Sequence, residues 1–348
     1  MIHSARRGRT PICLLALLFA AVVPASPARA ATFAVSKTAD TNDGVCDADC
    51  SLREAIVAAN AAAGGDTITF GVAGLFTISG SALPQITGSL VVNGTSAPGW
   101  ASAPVVRIDG AGLASGNGLS FAAGASSSSI SALAVTGFPG HGLEILSATT
   151  VVTRSYVGLA LDGTTDAGNG LSGIRLSGAN CAIGNANVGN VISGNGERGI
   201  LVQAGGNNVT IRANRIGTNA AGTAAVPNDG NGIYGTGGTG VFVGGALAGR
   251  GNTISGNGGL GIDLDNTSAS WTIHGNNIGV DATGAAGLGN AGGGIRSLTG
   301  GHTIGSTFAA GRNVISGNGF NGIALGSTAN GVTVFGNYIG TNAAGTAA

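Results

Sequence analysis

The string NVISGNG at Asn190 returns as NTISGNG at Asn252 and again as NVISGNG at Asn313, offset in the numbering by 62 and then by 61. A chain that repeats at a fixed period stacks its copies into an elongated array, because each copy buries its apolar face against the next one. Within the unit a branched apolar residue recurs at shorter steps: Ile108, Ile130, Val152, Ile174, Ile192, Ile211, Ile233, Ile254, Ile273, Ile295, Ile315 and Val334. The offset between successive members runs from 18 to 22, so each unit reads as three turns of a coil.

Around each column residue lies a short apolar alternation bounded by Gly and Asn, such as VTIRANRIG from Val209 and WTIHGNNIG from Trp271. Such runs read as strands. With 67 glycines in 348 residues, helix is disfavoured almost everywhere, since Gly costs a helix about 1 kcal/mol relative to Ala. A unit of about 20 residues is too short for the helical crossovers that cover an ordinary parallel sheet. The expected fold is therefore all-β: a right-handed parallel β-helix with Ile and Val stacked inside, right-handed because parallel crossovers are. Twelve column residues then span roughly 55 Å at strand spacing. Asn195, Asn257 and Asn318 are assigned to one corner, and Asn214, Asn276 and Asn337 to the equivalent corner of the next coil. Asn tolerates the left-handed backbone of a sharp turn and can hydrogen-bond to its own copy one coil away.

Residues 1–30 read as a secretory signal. Arg6, Arg7 and Arg9 precede an apolar run from Ile12 to Val23, and Ala28-Arg29-Ala30 forms an A-x-A cleavage site. The run is short for a membrane span, so the mature chain is expected to be exported, to the extracellular space, the cell surface or the periplasm, with no transmembrane segment. Four of the fifteen basic residues (Arg6, Arg7, Arg9 and Arg29) leave with the signal, so eleven remain against fifteen acidic residues. The resulting charge near −4 offers nothing to nucleic acid. Cys46 and Cys50 suit a small disulfide in an oxidising compartment, and Cys181 reads as a buried small hydrophobe. The closing GTNAAGTAA from Gly340 copies Gly217–Ala225, as if the chain stopped in mid-repeat and a further region followed.

Residues 31–66 differ from the repeats and contain the one credible helix, expected over 52–63. Ser51 and Glu54 form a capping box; Leu52, Ala55, Ile56 and Ala59 make an apolar stripe; Gly64-Gly65 ends it. Its expected task is to cover the open first coil. The string CSLREAI (Cys50–Ile56), after an Asp- and Gly-rich stretch and before GDTITF (Gly65–Phe70), resembles the CSLREA-type N-terminal domain of bacterial exported proteins. The segments IxGNxIGTNAAGT and NVISGNGxxGI are similar to the parallel β-helix repeats that accompany it. The resemblance implies a secreted or surface-displayed protein of pectate-lyase-like fold over residues 67–348, in a group mostly without assigned chemistry.

Candidate sites are sparse. Asp40, Asp43, Asp47 and Asp49, with Asn42, lie close together in one loop and offer oxygen ligands for calcium, although the EF-hand spacing is not met. Asp263 and Asp265 in GIDLDN alternate onto one outer face as a surface carboxylate pair, with Leu201 and Ala324 as expected column neighbours. Gly140-His141-Gly142 matches the GHG string of polygalacturonase-like hydrolases, without the paired aspartates or the Arg-x-Lys element. His274 and His302 lack a second histidine at ligand spacing. Arg175, Arg212 and Arg296 follow column residues, point outward and read as solubilising side chains, with a sparse basic line along one face as the alternative. The expected function is a non-enzymatic exported solenoid used for adhesion, as a spacer or in carbohydrate contact, with a polysaccharide or a host or cell-surface ligand as partner. The alternative is a lyase, epimerase or hydrolase of acidic glycans, which a cluster of acidic and basic side chains in one groove would favour.

Overall fold

Short runs with every second side chain apolar can bury only one face, and here they do so by winding into a coil. The computed structural model describes residues 1–3, 29–265 and 267–347; the expected export signal over residues 1–30 falls mostly outside them. Among the described residues the chain forms three long parallel sheets of eleven, ten and eight strands, designated A, B and C. The chain visits A, then B, then C, and returns to A one rung higher, forming a right-handed parallel β-helix. Ten steps along sheet A make a rod of roughly 48 Å.

The coil is longer than the turn expected from the sequence. Sheet A pairs Ala182 with Thr210, Thr210 with Phe242, Phe242 with Thr272 and Thr272 with Thr303, so that successive rungs advance the numbering by 28, 32, 30 and 31. The long repeat unit therefore holds two coils of three strands. Ile192, Ile211 and Ile233 lie in sheets B, A and C respectively, so the apolar column steps from face to face. Its members from Ile108 to Ile315 are fully buried all the same, because every strand points one branched residue into the shared interior. Val334, on the last described rung of sheet A, is exposed.

Two coils make one unit because the long loops alternate. Between sheets A and B the links at 184–190 and 245–252 are long, whereas 212–214 and 275–276 are tight corners. Between sheets B and C the order is reversed, with long hairpins at 217–232 and 279–292 and short links at 193–199 and 255–259. Both kinds of long loop flank sheet B.

From Ala213 onward each tight A-to-B corner turns on two residues. The first has left-handed backbone, with Ala213 at φ 59°, Gly275 at 69° and Gly336 at 64°. The second is the asparagine. The laddered asparagines thus do not themselves carry the left-handed conformation, contrary to the expectation from their type. They form two ladders at two different corners. Asn190, Asn214, Asn252, Asn276, Asn313 and Asn337 line the A-to-B corner through amide-to-amide bonds of 2.8–3.0 Å. Asn169, Asn195, Asn228, Asn257, Asn290 and Asn318 line the B-to-C corner, at 2.8–2.9 Å.

Ahead of the coils lies the one α-helix among the described residues, Leu52–Ala61, which stops short of the expected end because Ala62 is already extended. The Ser51 hydroxyl accepts the Glu54 N–H at 3.1 Å and the Glu54 carboxylate accepts the Ser51 N–H at 2.6 Å. Leu52, Ala55, Ile56 and Ala59 enter the same core as Val35 and Ile68. On its other side, Asn60 bonds the Gln85 carbonyl and the Thr87 N–H, both at 2.8 Å, and so closes a strand edge of the first rungs.

Candidate functional site

Sheet C carries a run of charged side chains along its outer surface. Parallel registration places one outward residue per rung: Ser120, Glu144, Arg175, Leu201, Tyr234, Asp263, Arg296 and Ala324. From Glu144 to Arg296 is five rungs, about 24 Å. Glu144 pairs with Arg175 at 2.5 Å and accepts hydrogen bonds from Ser120 and Asn117 at 2.7 and 3.0 Å. Arg175 also donates to Gln203 at 2.7 Å. In the B-to-C link beside the row, Glu197 pairs with Arg198 at 2.7 Å, and the Arg198 guanidinium lies 4.7 Å from the centre of the Tyr234 ring. Arg296 grips Asp263 with two bonds of 2.8 Å, and Asn231 adds a third of 3.0 Å.

These contacts revise several sequence expectations. Asp263 and Asp265 are not a solvated surface pair, because Asp263 is 2% exposed beneath Arg296. Its neighbours on the adjacent rungs are Tyr234 and Arg296; Leu201 and Ala324 lie two rungs away. Arg175 and Arg296 share sheet C but Arg212 follows a sheet A strand, so the three form no single line. Missed altogether were Glu144, Glu197 and Arg198. The signal that would have found them is half the repeat: Glu144, Arg175, Tyr234, Asp263 and Arg296 meet when the sequence is wound at one coil per turn instead of at the two-coil period.

The electrostatics follow from this packing. Burial pushes the Tyr234 phenol up, with Asp265 and Asp263 adding to it, so the hydroxyl keeps its proton and remains a donor. His141 of the GHG segment stands at the near end of the row, 9% exposed. Burial lowers its basicity, and Arg175 lowers it further. Its Nδ1 accepts the Ser172 N–H at 3.2 Å, which leaves the proton of the neutral ring on Nε2. Such an imidazole is a donor and not a base. The three carboxylates Glu144, Glu197 and Asp263 are all held by guanidinium groups, so the row presents hydrogen-bond donors and acceptors in fixed positions.

The aspartates of the N-terminal loop disperse. Asp40 is clamped by Arg53 at 2.9 and 2.8 Å and accepts the Ser79 N–H. Asp49 pairs with Lys37 at 2.9 Å, and Asp43 and Asp47 accept the backbone N–H groups of Val45 and Asp49. No three carboxylate, thiol or imidazole groups converge on a metal-sized space among the described residues. Cys46 and Cys50 are joined by a disulfide in the same loop. Cys181 is buried at the C-to-A corner, and burial raises its thiol pKa. His302, one of its copies in the same stack, accepts the Trp271 N–H at 3.0 Å and serves as core packing. No described helix is long and apolar enough to cross a membrane.

No protein-family model matches the chain, and no curated protein matches it. Among solved structures it is similar to a mutant of the periplasmic alginate epimerase AlgG, at 12% identity and TM-score 0.43, covering 79% of this chain and 71% of that one. It is also similar to the Azotobacter vinelandii mannuronan C-5 epimerase AlgE6 A-module, at 18% identity and TM-score 0.38, covering 86% and 97%. Pectate lyase Pel9A gives 15% identity and TM-score 0.34, covering 91% and 81%. At these values the likeness adds nothing to what the strand pairing already shows.

Proposed function

We propose that this is an exported β-solenoid that holds a polysaccharide along the outer surface of sheet C without turning it over. The carrying observation is the row itself, in which two ion pairs and the ring of Tyr234 are spread over about 24 Å of sheet C, with a third pair, Glu197–Arg198, in the link beside it. Sugar hydroxyls ask for this kind of surface, with donors and acceptors in register and an aromatic ring for the apolar side of a pyranose. Binding without turnover is supported by the pairing of Glu144, Glu197 and Asp263, none of which is free to act as a base. Export is supported by the A-x-A site before Ala31 and by the CSLREA-like module with its disulfide.

The test is gel retardation of the purified protein in neutral and acidic polysaccharides, with Tyr234→Ala and Arg198→Ala as variants. Retardation by at least one polysaccharide, weakened several-fold in both variants, is the expected result; equal migration of all three proteins would refute the reading. One observation favours the enzymatic alternative, namely that His141, Glu144 and Arg175 meet at one end of the row. New reducing ends or unsaturated products from the retarding polysaccharide would establish it, and neither is expected.

A further inference from the structure

Sheet B carries a second feature that the sheet C row does not involve. Its outward residues form the floor of a trough with long loops on both sides. The B-to-C hairpins lean over it and are bonded to each other, Ala220 N–H to the Gly163 carbonyl at 2.8 Å and Ala282 N–H to that of Gly222 at 2.9 Å. The A-to-B loops form the other wall and are likewise joined, Asn187 N–H to the Gly249 carbonyl at 2.7 Å. That wall has one break. Between the loop carrying Trp100 and the loop carrying Asn187, two tight corners follow in succession, at Ala132 and at Arg154. The alternation of the repeat fails only here among the described A-to-B corners after Trp100, and a cavity of about 920 Å³ begins in the gap and runs along the trough as far as Thr253 and Ala282.

The cavity has one sign of charge. Arg154 and Arg215 line it, together with Trp100, Tyr156 and Asn187, and no carboxylate does. Neither arginine has an ion-pair partner among the described residues. The acidic group whose charge bears on Tyr156 is Asp162, whose oxygens are taken by Thr164 and Thr165. Two donors in the lining, Trp100 Nε1 and Arg215 Nε, are buried without a hydrogen-bond partner, a condition native interiors seldom tolerate. Arg154 adds a further sign. It occupies the left-handed corner position, at φ 56°, where the other tight corners have Ala132, Ala213, Gly275 and Gly336. The backbone conformation matches that of Ala132 and Ala213; what differs at Arg154 is that a long cationic side chain stands at the corner beside the cavity.

We infer that this gap is a binding site for a carboxylate-bearing saccharide, with Arg154 and Arg215 on the carboxylate and Trp100 against the ring. A guanidinium takes a carboxylate through two parallel hydrogen bonds, and an indole offers an apolar face to a sugar ring. The volume lies within the range of small-ligand sites. The inference is independent of the sheet C reading.

Trp100 supplies the readout, since the other tryptophan, Trp271, is fully buried. Trigalacturonate is titrated against tryptophan emission, with neutral galactotriose as the comparison. A saturable change with the acidic sugar alone is expected, absent in Trp100→Phe and weakened at least tenfold in Arg215→Ala. Arg154→Gly suits the left-handed corner better, so it is expected to melt no lower than the natural protein while also binding at least tenfold more weakly. Arg215→Lys keeps the charge and should retain part of the affinity. Arg198→Ala and Tyr234→Ala, on sheet C, should leave the Trp100 signal unchanged. The inference is overturned by equal response to the neutral sugar, by unchanged affinity in Arg154→Gly or Arg215→Ala, by loss of the signal in the sheet C variants, or by no saturable response.

Discussion

Asn252 makes four side-chain hydrogen bonds. Its Oδ1 accepts the N–H and the amide of Asn214 at 2.9 and 3.0 Å, and its own amide donates to Ile211 O and Asn276 Oδ1, both at 2.8 Å. It is 2% exposed, so no water replaces a lost partner. Removing one partner of a buried bond costs about 1–3 kcal/mol for each group left unsatisfied. Asn252→Ala is therefore expected to destabilise by about 3 kcal/mol, read as a lower urea midpoint with unchanged slope. The same truncation at Asn219, whose bonds stay within one surface hairpin, should fall within about 0.5 kcal/mol of the natural protein. A structural role for these asparagines is legible in the sequence, because identical residues recur at identical places. Which of them touch is not, since comparison at the full repeat period skips Asn228 and Asn290, the rungs that lie between.

At the scale of the element, the helix and the loop before it show why Cys50–Ala55 has that composition. Ser51 and Glu54 close the helix start, Leu52 and Ala55 enter the core, Cys50 ties the preceding loop, and Arg53 clamps Asp40 while donating to the Ser81 and Ala82 carbonyls at 2.7 and 2.8 Å. The cap and the apolar stripe are readable from spacing alone. The clamp is not, because Asp40 lies well upstream in a loop whose aspartates look equally suited to calcium when only the sequence is read. Asp40's side chain is 2% exposed. Arg53→Ala strands it as a buried charge and is expected to destabilise by about 3–5 kcal/mol, whereas Asp40→Asn combined with Arg53→Met should recover most of that loss in the same urea titration. Glu54 supplies a pH dependence. Burial raises its pKa, but the Ser51 and Asp43 N–H groups and Lys37 outweigh this and hold it below the ordinary value. Its contribution is then complete above about pH 4.3, the ordinary glutamate value, and is lost as the pH falls through the lowered one. Melting temperature plotted against pH should drop on the acid side for the natural protein and stay flatter in Glu54→Gln.

At the scale of the whole molecule, the repeat length carries a meaning that its sequence alone conceals. The parallel coil and its aliphatic interior are visible in the alternation of Ile and Val, but the number of strands per unit is not. All three faces use the same residue types, so a step from sheet B to sheet A looks like a step along one sheet. What makes the two-coil unit the true period is the loops, which must alternate because a hairpin such as 218–225 is too thick for one rung of about 4.8 Å and reaches its counterpart only two rungs on, as the Ala220–Gly163 and Ala282–Gly222 bonds show. Excising positions 190–251 joins Gly189 to Asn252, restores the same Gly-Asn junction and keeps the alternation. Excising 190–213 joins Gly189 to Asn214, removes a single coil, and sets the hairpins 160–166 and 218–225 one rung apart with their mutual bond broken. Nearest-neighbour stacking sets the stability of such arrays. The two-coil deletion should therefore unfold in one cooperative transition close to that of the natural protein. The one-coil deletion should melt well below it or fail to accumulate in soluble form, and equal melting of the two would show that the loops, and not only the strands, are free of register.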